Sequence, residues 1–593
     1  MNARLILVGA ATLVACTPST PVGTGPAPAA GAPSRGATDA APSAGSMLDN
    51  ADRARQALNR LTFGPRPGDL ELVERMGVNA WIDLQLRPER IPDASADSVL
   101  GRLDVTRESA LEMAALHPQP YEVRLPSTAR LPDTAVLRPR ITGSATEELA
   151  DLRDQVAMAN AASDRANMLS QHAYAAQNEL IPSIMLRSTV SDRQLLEVMT
   201  VFWENHFSVS ADKMSGQYAL VDYDHAIHAN ALGKFRDLLE AVAKSPAMLF
   251  YLDNAESGVD SLHPTSVELA MQQLRAAHPP LGDTGLIAVA THRPTGLNEN
   301  FARELMELHT LGVDGGYTQH DVQEVARCFT GWRIDNGNGP FAFSQLSVFA
   351  FHPEQHDAAE KVVLGVHIPA GRGIEDGEEV LDILARSPST ARFIAKKLVI
   401  HFVSDNPPPA LVERAAQTYL RTGGDIREVL RTIVTSPEFF SRAAFRAKAK
   451  TPFELVASVV RALNAAPDTT QETAQLVAGL GQRIFGHLTP EGWPDQGAAW
   501  LNMGALLDRV NFAVKVGGGQ VRTITIANWR PSSALLKLNA TDQVDGVIAA
   551  LLEGEVSPTT RDALLAIETP PGSIQHLGEL VGLALGSPEF QSR

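Results

Sequence analysis

Only two cysteines, Cys16 and Cys328, occur in 593 residues, so no disulfide framework holds this chain together and its stability must come from buried apolar surface. Positive charge is also short. Against 68 Asp and Glu there are 51 Lys and Arg, a net charge of -17, and no basic cluster with interleaved aromatics appears; both features argue against nucleic acid as a partner. No apolar run reaches the length of a transmembrane helix. A Gly-x-Ser-x-Gly elbow, a Walker loop, a dinucleotide fingerprint and a compact His-Glu-x-x-His signature are all missing, so serine-hydrolase, nucleotide and NAD readings lose support. What remains is ordinary globular composition, 44% apolar and 20% charged. Over this length it predicts a multi-lobed globular body, and the helical periodicity that dominates the chain makes that body mainly α, multi-helix, of two or three lobes with a small β-hairpin.

The N-terminus reads Met-Asn-Ala-Arg and then runs apolar from Leu5 to Ala15, a charged start followed by a core of signal-peptide length. It closes on Leu13-Val14-Ala15-Cys16, similar to the lipobox of bacterial lipoproteins, in which the cysteine is diacylated and becomes the mature N-terminus. Residues 1–16 are therefore expected to be a lipoprotein signal peptide with Cys16 as the lipidation site and the membrane as a partner through that lipid. Thr17 stands where many inner-membrane lipoproteins carry aspartate, which predicts a cell-envelope location at the outer membrane. Residues 17–46 are Pro, Ala, Gly, Ser and Thr with almost no large apolar side chain, and read as a disordered tether.

Beyond the tether three regions are expected: a helical N-terminal lobe over 47–130, a central helical domain over 131–460, and a helical C-terminal region over 461–593. From Ala51 to Leu86 the pattern predicts three short amphipathic helices, broken at Phe63-Gly64-Pro65 and at Gly77. Residues 115–144 are proline-rich and read as an extended connector, and 257–296 as an inserted surface excursion. Alternation in Phe341–Phe343 and Val348–Phe351, a polar turn, and the valine-rich Lys361–Leu364 predict the hairpin, with His356-Asp357 in its turn. Ser436-Pro437-Glu438-Phe439 and Ser587-Pro588-Glu589-Phe590 each read as a helix start, with Ser as N-cap and Pro in the first position.

The chemistry-bearing residues emerge from helical projection. In Leu195–Phe207, Glu197 and Glu204 share a polar face, whereas Asn205 and His206 point among Leu195, Val198, Met199 and Phe202. In Asn298–Leu311, Glu299, Arg303 and Glu307 form a polar stripe, and His309 falls on the apolar face. Thr318 is placed to cap the next helix with Asp321. Three readings of this set stand together. His206, His309 and His356 can ligate a divalent transition metal with a carboxylate balancing charge. Alternatively, the same groups can run acid and base chemistry, with Glu304, Asp357, Arg303 and Asn205 in catalytic roles. In the third, they form a structural polar network that locks helices together. Gly492-Trp493-Pro494 with Trp500 offers an aromatic platform, which in a turn before proline is commonly packing.

These segments carry a resemblance to DUF1800, a bacterial family of unknown function. The resemblance rests on Leu58–Gly64, Phe202–Phe207, Ala231–Asp237, Ser245–Met248, Tyr251–Asn254, Asn298–Trp332, His356-Asp357 and Trp500–Phe512. It implies that Asn205, His206, Lys213, Asp253, Asn254, Asn298, Glu299, Asn300, Arg303, Glu304, Glu307, His309 and His356 occupy family-typical positions, a polar signature that suits a site. Cys328, His225 and His228 depart from the family's pattern. Members often stand beside exported proteins resembling sulfatases and alkaline phosphatases, which implies such a protein or a polysaccharide as partner. Two functions follow as expectations: an envelope hydrolase acting on a surface or imported polymer, or a non-catalytic scaffold or maturation factor for an exported partner.

Overall fold

Local capping sets the first helices. Asp49 accepts a hydrogen bond from the Asp52 amide at 2.8 Å and starts the helix Asn50–Leu61. Gly77, at φ 87°, separates Asp69–Met76 from Val78–Gln85, and these three helices are the ones the sequence predicts. The computed structural model describes residues 46–109, 175–213, 218–260, 262–277, 296–335, 348–554 and 556–593. Cys16 with the expected signal peptide, the expected tether up to residue 45, the expected 115–144 connector, Phe341–Phe343, and residues 261 and 278–295 of the expected excursion lie outside the described residues.

Among the described residues the chain forms 24 α-helices and two small two-stranded antiparallel sheets, and residues 45–593 make one compact unit. The Gln194–His206 helix runs through its interior, with Leu195, Met199 and Trp203 fully buried. Its Glu197–Glu204 face is present as projected, but it is turned inward. The Arg187 guanidinium grips Asp224 with two hydrogen bonds, at 2.8 and 2.5 Å, and donates to Glu197 at 3.2 Å. Burial and then the Asp224 charge raise the Glu204 carboxyl well above its ordinary range, so the cluster carries fewer charges than its sequence suggests.

Other local signals are equally well expressed. Thr318 and Asp321 form a reciprocal capping box at the start of Gln319–Cys328, whose Val322, Val325 and Ala326 are buried. Ser587 caps Pro588–Gln591 as expected, whereas Ser436 accepts from the Phe439 amide within a turn that does not continue into a helix.

The hairpin needs correction. Val348–Phe351 pairs with Trp332–Asp335, and Lys361–Val363 pairs with Val366–Ile368, so the two predicted strands belong to different sheets. The second sheet closes through Leu364 and Gly365, both at positive φ (50° and 81°), a two-residue turn whose twist matches the flanking strands. His356-Asp357 consequently lies between two sheets, not in the turn of one.

Candidate functional site

Four segments converge on a cavity of about 430 Å³: the C-terminal end of Gln194–His206, the helix Pro388–Phe402, the start of Pro452–Ala462, and the loop through Glu491–Asp495. Asn205 ties the first to the last. Its side-chain amide donates to the Trp493 carbonyl at 2.8 Å and its Oδ1 accepts from the Trp493 amide at 2.7 Å, a side chain imitating a strand partner. The loop approaches so closely at Gly492, φ 74°, that a Cβ there would stand 2.2 Å from the Asn205 carbonyl oxygen. Asn205 therefore positions Asp495.

Asp495 Oδ2 accepts from His401 Nδ1 at 3.0 Å. That bond fixes the neutral tautomer with its lone pair on Nε2, and Nε2 is buried with no protein hydrogen-bond partner. His401 is 9% exposed and packs edge-on against Phe202, and both line the cavity. Burial lowers the His401 pKa, with Asp495 opposing the shift. For Asp495 burial works upward but loses to His401 and Lys448, which hold the carboxyl well below the usual range. Lys448 also donates to the Asp495 carbonyl at 2.7 Å and to Asp405 at 2.6 Å, bracing the loop from behind.

One helical turn earlier sits Lys397, also lining the cavity. Its ammonium donates to His206 Nδ1 at 2.8 Å, while His206 Nε2 donates to the His309 carbonyl at 3.1 Å. A carbonyl can only accept, so His206 is neutral with its proton on Nε2. Burial, then the Lys397 charge, then His309 push its pKa well below 6.5. Burial brings Lys397 itself down to about 8, with Asp495 as the opposing influence. His309 is lowered to about 3 by burial and by Lys397, and its ring lies against His206 and Phe207.

The predicted site residues thus separate. Asn205 and His206 line the cavity and His309 backs it. Glu304 is half-buried beside it, its carboxyl raised by burial and by Glu307, and also by Glu491 of the cavity rim. Arg303 is elsewhere, on an outer stripe with Glu299 at 3.2 Å and Gln319 at 2.8 Å. His356 and Asp357 belong to another buried network: His356 Nδ1 meets the Thr330 carbonyl at 2.8 Å and Nε2 meets Asp376 at 3.3 Å, while Asp357 pairs with Arg327 at 2.7 Å. Lys361 completes it, donating to Asp376 at 2.7 Å.

The three-histidine metal centre accordingly does not assemble. Both ring nitrogens of His206 and of His356 are engaged by protein, and among the described residues no three His, Cys, Asp or Glu side chains come together in a way that could hold a metal ion. Of the other family-typical positions, Lys213 pairs with Asp253 at 2.9 Å and Asn298 donates to the Asp253 carbonyl at 2.7 Å. Asn254 is fully buried and donates to the Phe329 and Trp332 carbonyls.

Lys397, His401 and Asp495 are the residues that sequence reasoning missed. A signal for the first two exists: they stand four apart in a helix whose Ile394, Leu398, Val399 and Phe402 are buried. Asp495 gives none, because it reaches His401 across 94 residues of chain.

Searches of curated proteins and of solved structures returned no match. A family model described as a protein of unknown function, DUF1800, matches residues 56–592. That span includes the cavity and every residue that builds it, and the chain belongs to the DUF1800 family.

Proposed function

We propose that this chain is a hydrolase of the cell envelope, anchored by a lipid on Cys16, that cleaves acyl groups from a surface or imported polysaccharide without a covalent intermediate. The observation carrying the reading is the Asp495–His401 pair: one ring nitrogen oriented by a carboxylate, the other unpartnered in a residue that lines a cavity. His401 Nε2 takes a proton from water, and the water oxygen bonds to the acyl carbon. Negative charge then develops on the carbonyl oxygen. The Lys397 ammonium stabilises it, kept poised by burial and oriented by a neutral His206. As the C–O bond to the sugar breaks, the proton on His401 passes to the departing oxygen.

Acyl cleavage is favoured over glycosyl cleavage by the kind of charge present. A glycosidase needs two free carboxyl groups flanking its bond. Of the three carboxyl groups lining the cavity, Glu454 is occupied by the Thr451 amide at 2.8 Å and by Arg593 at 2.8 Å, and Asp495 is held by His401 and Lys448; Glu491, which accepts from Thr489 at 2.8 Å, is left without a second free carboxyl group to work with. Trp493, in edge contact with His487 at 4.7 Å and near Trp500 at 5.9 Å, gives the rim an aromatic surface suited to a sugar face.

The test is to incubate the folded protein with acetylated and unacetylated cell-surface polysaccharides and follow released carboxylic acid by mass spectrometry, with His401→Gln alongside. Acid release by wild type and not by the variant supports the reading. Absence of release from every polymer, or release that survives His401→Gln, overturns it.

A further inference from the structure

The helix Met503–Gly517 has three sectors where an ordinary surface helix has two. Arg509, Phe512, Ala513 and Val516 are buried, and Asp508, Asn511 and Lys515 form a polar flank. The third sector is apolar and uncovered: Met503 is 85% exposed, Leu507 61% and Val514 59%, with Leu506 and Val510 beside them. Helical spacing places these five side chains within about 100° of arc, one continuous stripe. It continues into a groove of about 960 Å³ between this helix and Ile574–Gly586, where Val510 and Val514 face the half-exposed Ile574 and Leu583. The two helices meet closely because Gly517 lies against Gly578, where a Cβ on Gly517 would stand 2.3 Å from the Gly578 carbonyl oxygen.

Charge says what covers this face. The chain as a whole carries -17, yet residues 503–537 contain five Lys and Arg against the single Asp508. Four of the five, Lys515, Arg522, Arg530 and Lys537, are exposed; Arg522 approaches Glu472 at 3.5 Å. Arg522 and Arg530 bracket in sequence the Thr525–Ala527 segment that lines the same groove. The charged side chain lining the groove is Glu579 on the opposite helix, which accepts from Thr569 at 2.6 Å and from Gln575 at 3.0 Å; the exposed cations belong to the segment that carries the stripe, and an uncovered apolar stripe in a basic segment of an acidic protein matches a surface that is apolar below and anionic above.

We propose that the Met503–Gly517 helix docks on an anionic phospholipid surface, lying in the interface with its third sector among the acyl chains. Among the described residues no helix is long and apolar enough to cross a membrane, so the contact is one of lying on the bilayer. The docking is independent of the hydrolase reading and of Cys16: it needs only the surface of the body.

The experiment uses residues 17–593 without lipid, which retain the whole compact unit, and measures cosedimentation with phosphatidylcholine vesicles with and without phosphatidylglycerol. Binding is expected only to vesicles containing phosphatidylglycerol, weakened by salt, and weakened at least about tenfold in the Leu507→Glu/Val514→Glu double variant. Both positions are exposed, so an unchanged melting curve confirms that the variant is folded. Absence of binding, or equal binding by the variant, overturns the proposal. So does lipid-free self-association abolished by the same pair, which would give the stripe to a second copy of the chain.

Discussion

Replacing Lys397 by Met removes a cation that the fold pays to bury. The ammonium's pKa falls from 10.5 to about 8, and between those values the unfolded chain binds a proton that the folded chain does not. Wild-type stability therefore gains from rising pH across this window, whereas the Met variant has no such group. Two and a half pKa units correspond to about 3 kcal/mol. The stability difference, variant minus wild type, should accordingly fall by about 3 kcal/mol between pH 7 and pH 11. Other groups titrating in this range, Lys450 at about 7 among them, contribute equally to both proteins and cancel. The absolute offset at pH 7 is smaller than the full cost, because His206 Nδ1 loses its donor, worth about 1–3 kcal/mol. Urea unfolding curves at half-unit pH steps supply the measurement. A difference that stays flat with pH would show that Lys397 is solvated like a surface lysine, and the electrostatic part of the proposed mechanism would fall with it.

Three further outcomes follow from the geometry. Asn205→Ala deletes both hydrogen bonds to the Trp493 backbone and should cost about 1–3 kcal/mol in urea unfolding while freeing the Glu491–Asp495 loop, visible as faster amide exchange there. Gly377→Ala puts a Cβ 2.5 Å from the Trp332 ring, fully buried beneath it, and should lower stability by about 1–3 kcal/mol in a thermal melt without touching the cavity. Asp495, whose pKa is depressed, contributes stability that is whole above pH 3.8 and is lost as pH falls below that value toward its folded pKa; the wild-type advantage over Asp495→Asn in acid unfolding should therefore vanish at the low end of the scale.

What could be read in advance was whatever a few neighbouring residues decide. The Thr318–Asp321 capping box, the Gly77 break and the inward turn of His206 and His309 are each set within about one or two helical turns, and each stands in the structure. Strand partnership was not legible, because alternation in Val348–Phe351 marks a strand without naming its partner, and Trp332–Asp335 took the place assigned to Lys361–Leu364. His356-Asp357 misled for a different reason. A histidine beside an aspartate resembles a catalytic pair, but Arg327, Lys361 and Asp376 arrive from other elements to satisfy it, and only tertiary structure shows that its bonding capacity is already spent. Lys397 stands beside Lys396 in sequence, yet Lys396 is exposed and Lys397 turns inward, a difference set by the helix face each occupies.

In the proposed mechanism His401 and Asp495 act as one unit, and a double-mutant cycle on acyl release tests that most directly. His401→Gln should cut kcat by about 100- to 10,000-fold, Asp495→Asn should cut it substantially by releasing the tautomer, and the double variant should be no slower than His401→Gln alone. Losses that multiply in the double variant, or a His401→Gln enzyme as fast as wild type, would contradict the central claim.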